Sequence, residues 1–280
     1  MLALGSIDIL WGGLSHPETH FVLRLFRSAP KPTPASTGDR LVYAVGDIHG
    51  RADLLEGLLA RIVADAGPAL ARGERPLLVF LGDYVDRGAD SRGVIDRLIA
   101  LAAQPGFEVR LLMGNHEEAM LGFLEDPVSG AGWLDFGGGA TLASYGVAPP
   151  IGRSSGEELA ALSAALSAVL PAAHLTFLRS LELAVVLGDY VFVHAGLRPG
   201  VPLHAQSARD LLWIRQEFLS EKKSFEKVVV HGHTPEEMPY DGPTRIGLDT
   251  GAYATGVLTA GRLLGAERAF LQYRHERKRG

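Results

Sequence analysis

The sequence predicts an α/β fold built from two packed sheets, and two observations carry that prediction. From residue 41 to 125, short apolar runs alternate with segments of helical periodicity, the pattern of buried and largely parallel strands. Beyond residue 180, strand patterns follow one another with glycine turns and no long helix between them. That second stretch predicts another, more antiparallel sheet packed on the first.

The first strand is "LVYAV", beginning at Leu41, and the helix "DLLEGLLARIVAD" follows it. The unit recurs as "RPLLVFL" before "SRGVIDRLIALAA", and again as "EVRLLM" before "GNHEEAMLGFLED". Each strand is followed at once by a polar Gly-Asp or Gly-Asn step. Residues 119–180 are helix-rich and broken by "DFGGGA" and "APPIGRSSG", so they are expected to form an inserted helical cap. Strand patterns return at "LELAVVLGDYVFVHAG", "KVVVHGHT", "TRIGLD" and "GVLTAGRLLG", all assigned here to the second sheet.

Residues 1–40 contain "APKPTPASTGDR", a proline-rich and small-polar stretch that reads as a flexible lead-in. Upstream, "FVLRLF" fits a short amphipathic anchor, part of a misassigned start, or an unstructured tail. The catalytic domain is placed at 41–275, and residues 276–280 form a basic tail.

The chain has 280 residues, 47% of them hydrophobic, enough to bury one substantial core. A formal charge of −5 gives no broad electrostatic footprint for nucleic acid, so no stable nucleic-acid partner is expected. There is no cysteine, which excludes thiolate catalysis, disulfides and sulfur-ligated metals. Any metal is therefore held by oxygen and imidazole. No segment reaches the roughly 18–20 apolar residues of a membrane span, and a cytoplasmic location is expected.

Ligands of open α/β sheets bind beyond the carboxyl ends of the strands. The loops "GDIHG" (46–50), "GDYVDRG" (82–88) and "GNHEE" (114–118) should meet there, joined by "VHAG" with His194 and "VHGHT" with His231 and His233. A single Asp or His after a strand is usually a turn or capping residue. The whole set is different, because capping accepts Ser or Thr and has no need of histidines. The flanking glycines permit tight turns and close backbone approach to a ligand.

The ordered series "GDIHG", "GDYVDRG", "GNHE", "HAG" and "HGHTP" resembles the phosphoprotein phosphatase family of calcineurin-like metallophosphoesterases, over roughly residues 41–273. Within that family the chain is similar to the small bacterial and lambda-phage-type serine/threonine phosphatases and to the symmetrical diadenosine tetraphosphatases. The resemblance implies an α/β/β/α sandwich with two mixed sheets, and a dimetal site at the carboxyl-terminal strand edge. It assigns Asp47 and His49 to one metal, Asp83 to the bridge, and Asn115 and His194 to the other metal. The last ligand comes from "HGHT", where His233 fits the family step better than His231. Pro235 stands where many metallophosphoesterases carry a further histidine.

The same resemblance makes His116 the general acid with Asp86 behind it, orienting it and raising its pKa. It places Arg87 and Arg215 on the substrate phosphate, beside Asn115. Asp249, in "GLDTGAY", fits either a partner of a ligand histidine or a turn former. Trp133 fits either the wall of a substrate groove or the core.

The residues support this chemistry independently. A carboxylate can bridge two cations roughly 3.5–4 Å apart, and water held between them becomes a nucleophile near neutral pH. Sulfur-free ligation with imidazole suits manganese first, with iron or zinc also accommodated. A phosphate ester needs a proton for its leaving oxygen, and a planar guanidinium suits phosphoryl oxygens. The expected activity is hydrolysis of phosphoserine or phosphothreonine monoesters. The alternative is hydrolysis of dinucleoside polyphosphates, extending to nucleoside-capped RNA ends.

Overall fold

In the computed structural model the described residues are 34–275. The lead-in up to residue 33, with "FVLRLF", and the tail at 276–280 lie outside them. In chain order the elements are β1 (Val42–Val45), α1 (Ala52–Ala71), β2 (Leu77–Phe80), α2 (Ser91–Ala102), β3 (Glu108–Leu111) and α3 (Asn115–Glu125). The expected cap holds α4 (Gly139–Ser144), α5 (Gly156–Val169) and α6 (Ala172–Arg179). Then come β4 (Ala184–Leu187), β5 (Tyr190–Val193), α7 (Ala208–Trp213), β6 (Val228–His231), β7 (Tyr240–Asp241), β8 (Arg245–Gly247), β9 (Val257–Leu264) and β10 (Glu267–Arg274).

Strand alternation builds the layers. In β1, Tyr43 and Val45 join the core beneath the helices, while Val42 and Ala44 face the second sheet. In β5, Tyr190 and Phe192 face the first sheet, whereas Val191 and Val193 pack outward with Leu211 of α7. The result is an α/β/β/α sandwich with three apolar layers.

The first sheet runs β10-β9-β1-β2-β3, with β1, β2 and β3 parallel. Here one expectation is corrected. "GVLTAGRLLG" is β9, and it pairs antiparallel with β1 rather than joining the second sheet. Its Leu258 and Ala260 enter one core layer and Leu263 the other, so it is an interior strand buried on both faces. The second sheet, β4-β5-β6-β8-β7, is also more parallel than expected. Only its edges, β4 and β7, run antiparallel to their neighbours.

The helices of the cap region share the core of α1–α3. Leu142, Leu159, Leu166 and Phe177 are buried with the first-sheet side chains, so this region continues the helical layer. Upstream of β1, Thr37 is buried and donates its N–H to Gly265, and Ser36 donates its own to Asp189. Residues 36 and 37 are thus bonded into the fold, ahead of the boundary expected at 41. Among the described residues no single helix is long and apolar enough to cross a membrane.

Candidate metal centre

Parallel pairing in both sheets brings the carboxyl ends of β1, β2, β3, β5, β6 and β8 to one edge. The loops that leave them are tied together by backbone. Ile48 and His49 donate to the Asp83 carbonyl at 3.1 and 2.8 Å, and Gly232 donates to the His194 carbonyl at 2.8 Å. All five non-glycine residues with left-handed backbone among the described residues lie in these loops: His49, Asp83, Asp86, Arg87 and His233. Such conformations cost free energy and persist only where their surroundings enforce them. Glycine is needed for space beside the carboxylates: a Cβ on Gly114 would lie 2.1 Å from Asp83 Oδ1, and one on Gly232 would lie 2.0 Å from Asp47 Oδ1.

Asp83 stands at the centre. Its Oδ2 is 3.4 Å from His49 Nε2, and its Oδ1 is 3.4 Å from His194 Nε2. Two groups of donors able to hold a cation share this carboxylate: His49, Asp83 and His116 on one side, Asp83, His194 and His233 on the other. Asn115 Oδ1 lies 2.9 Å from His194 Nε2 and 2.8 Å from His233 Nδ1. Asp47 accepts the His233 backbone N–H at 3.0 Å.

The protonation pattern fits bound cations. His49 Nδ1 faces the Val85 carbonyl at 2.9 Å and His194 Nδ1 faces the Leu81 carbonyl at 2.8 Å. A carbonyl only accepts, so each Nδ1 carries the proton and each Nε2 turns a bare lone pair into the site. Burial, foremost, holds both imidazoles below their ordinary pKa and keeps them neutral. His194 Nε2, His233 Nδ1 and the Asn115 carbonyl oxygen converge within 2.8–3.2 Å of one another, three atoms able to donate a lone pair in one place. A divalent cation satisfies that arrangement. His233 Nε2 is buried without any partner. Burial pushes the Asp47 carboxyl well up, reinforced by Asp249 and Asp83, and cations would relieve that repulsion.

The structure brings His233 into the cluster and leaves His231 out. His231 packs against Phe218 with ring centroids 5.0 Å apart, and its Nε2 faces Arg245 at 3.2 Å. Asp249 is buried beside Asp47, with one oxygen accepting the Gly251 N–H at 2.8 Å. Among the described residues it is hydrogen-bonded to none of His49, His194 and His233, and the turn-forming reading describes it.

His116 Nδ1 is 2.7 Å from Asp86 Oδ2, both groups buried, leaving Nε2 toward the site. Burial pushes the His116 pKa down, but the charges of Asp83 and Asp86 and the Asp86 hydrogen bond outweigh it and raise it overall. Arg87 spreads its guanidinium between His116 Nε2 and His49 Nε2, each at 3.1 Å, and lies over the Tyr253 ring. Arg215 is exposed and anchored through the His233 carbonyl at 3.2 Å.

Two residues with no role in the sequence reading are part of this site. Glu117 is fully buried and accepts the backbone N–H groups of Asp83, Tyr84, Val85 and Gly114 at 2.8–3.1 Å. Burial raises its pKa to about 7, reinforced by Asp83. Thr141 donates its hydroxyl to Asp86 Oδ1 at 2.6 Å. Trp133 is only 1% exposed and does not wall a groove; its indole N–H meets the same carboxylate at 2.9 and 3.1 Å. Phe136 and Trp213, 5.6 Å apart, stand at the rim instead, with Trp213 donating to Glu118.

Comparison with known proteins finds relatives named as tetraphosphatases and phosphatases. The symmetrical bis(5'-nucleosyl)-tetraphosphatase of Acidovorax sp. (strain JS42) is 34% identical over 162 residues, 56% of this chain and 44% of that protein. The chain thus matches less than half the length of that relative. Serine/threonine-protein phosphatase BSL2 of Arabidopsis thaliana is 40% identical over 76 residues, 26% of this chain and 7% of its own. A crystal structure provisionally named as a diadenosine tetraphosphatase superposes with a TM-score of 0.57 at 23% identity, covering 85% of this chain and 96% of that one, a likeness of fold. The model of the calcineurin-like phosphoesterase family matches residues 41–256, most of the chain, and the chain belongs to that family.

Proposed function

We propose that this chain is a dimetal phosphatase acting on phosphoserine and phosphothreonine monoesters, with manganese as the expected metal. When bound, a pair of divalent cations would supply Lewis acidity and an acidified water for in-line attack on phosphorus. Asp47, His49, Asp83, Asn115, His194 and His233 would hold them. Arg87 and Arg215 present donors to the phosphoryl oxygens, and charge-assisted bonds there gain strength as charge develops in the transition state. His116 delivers a proton from Nε2 to the leaving oxygen, while Asp86 holds Nδ1 and stabilises the imidazolium.

The observation that carries the monoester reading is the buried His116–Asp86 pair at 2.7 Å. A serine or threonine alkoxide is a poor leaving group and needs a full proton, whereas a departing phosphate needs little. A second reading, dinucleoside polyphosphate hydrolysis, is favoured by the exposed aromatic rings at the rim. Phe136 and Tyr253 are 38% and 40% exposed, and both lie next to the acid and arginine, where a base could stack. The deciding experiment is kcat/KM for manganese-loaded protein on phosphoserine peptides and on diadenosine tetraphosphate, side by side. Preference for the tetraphosphate by tenfold or more would replace the first reading with the second.

A further inference from the structure

Asp86 is fully buried, and the hydrogen-bond partners of its carboxylate lie outside its own loop. Oδ2 faces His116 Nδ1 at 2.7 Å and accepts the Trp133 indole N–H at 2.9 Å. Oδ1 accepts the Thr141 hydroxyl at 2.6 Å, with the indole N–H also 3.1 Å away. Having spent its proton on Asp86, Thr141 Oγ1 accepts the Asp86 backbone N–H at 2.9 Å and stands 3.0 Å from Ser91 Oγ, which is left to donate. Trp133, in the connection between α3 and α4, and Thr141, in the first turn of α4, therefore hold the Asp86 side chain, and Thr141 together with Ser91 Oγ at 3.0 Å holds its backbone N–H.

The same segment grips the next residue. The Gly137 carbonyl accepts the Arg87 backbone N–H at 3.3 Å, and the Phe136 carbonyl accepts its Nε–H at 3.4 Å. Gly137 itself has a φ of 107°, and a Cβ there would lie 2.9 Å from Arg87 Cγ. Asp86 and Arg87 have φ values of 73° and 66°, two consecutive left-handed residues without glycine. Such a pair does not hold itself; something must enforce it.

We propose that the turn from Trp133 to Thr141 is a clamp that positions the acid pair and the phosphate-binding arginine, with Trp133 and Thr141 as positioning residues that act through Asp86. The clamp spans 47 and 55 residues of sequence to reach that carboxylate. It makes the helical region after α3 a determinant of proton delivery as well as of packing. The inference rests on the acid role proposed above for His116.

The test compares Trp133→Phe and Thr141→Val with His116→Asn on phenyl phosphates of graded leaving-group pKa and on a phosphoserine peptide. Phe keeps the ring that packs on Phe123, 5.1 Å away, and removes only the donor. For both clamp variants kcat on the peptide should fall about 10- to 100-fold, with less than about threefold loss on p-nitrophenyl phosphate and KM held within about twofold. Thr141→Ser, which keeps the hydroxyl, should restore most of the loss. In an Asp86→Asn background Trp133→Phe should add little. Equal losses on all esters with a lowered Tm, or full additivity with Asp86→Asn, would overturn the clamp while a steepened His116→Asn slope left the acid reading standing. An unchanged slope for His116→Asn would overturn both.

Discussion

Glu117 lies behind Asp83 and accepts its backbone N–H at 2.9 Å. With Tyr84, Val85 and Gly114 bonded to the same carboxylate, a left-handed Asp83 is held from the rear while both its oxygens face the histidines. Replacing Glu117 with Ala strands several buried donors, each costing about 1–3 kcal/mol. Glu117→Ala is expected to lower Tm and weaken metal binding together, and Glu117→Gln to do so less, as read by thermal melts and titration calorimetry with manganese. Unaltered metal affinity in a folded Glu117→Ala protein would show that Asp83 needs no such support.

Asp83→Asn should abolish activity and reduce the metal stoichiometry, because an amide neither bridges two cations well nor balances their charge. Chelation followed by manganese should restore the unsubstituted protein on p-nitrophenyl phosphate. Full activity in demetallated protein would contradict the dimetal reading.

The two histidines of "HGHT" should separate cleanly. His233→Ala is expected to lose at least one metal equivalent by elemental analysis with little loss of stability. His231→Ala should keep the metals and lower Tm, since it removes packing on Phe218 and a partner of Arg245. The reverse pattern would move the ligand role to His231.

In the proposed mechanism Arg87 would meet phosphoryl oxygens common to every substrate. Arg87→Ala should therefore reduce kcat/KM about 100-fold or more on aryl and alkyl esters alike, leaving the slope against leaving-group pKa unchanged. Asp86→Asn should steepen that slope, though less than His116→Asn does. A steeper slope for Arg87→Ala would place the guanidinium on the leaving oxygen instead.

Trp213→Ala should change the ranking between diadenosine tetraphosphate and phosphopeptide more than the rate on p-nitrophenyl phosphate. Base stacking on an aromatic side chain is worth about 1–3 kcal/mol, and the small aryl ester reaches no such platform. Proportional losses on all three substrates would assign Trp213 to support of Phe136 and Glu118 alone.

Much of the site was legible in the sequence because parallel strands carry their carboxyl ends to one edge. Asp47, Asp83, Asn115 and His194 each follow an apolar run within a few residues, so local pattern alone brings them together. Composition likewise restricted the ligands to oxygen and imidazole, since there is no cysteine. Tertiary structure decided what has no local period. It placed β9 against β1, because a strand buried on both faces reads the same in either sheet. The family step already favoured His233 over His231, and tertiary structure added how His233 reaches Asp83 and His194, through a left-handed backbone following Gly232 that no spacing encodes. It also brought Glu117, Trp133 and Thr141 onto "GDYVDRG" across separations of 32 to 55 residues. A buried carboxylate or a strained turn needs partners wherever the fold supplies them, and those partners are set by packing in three dimensions.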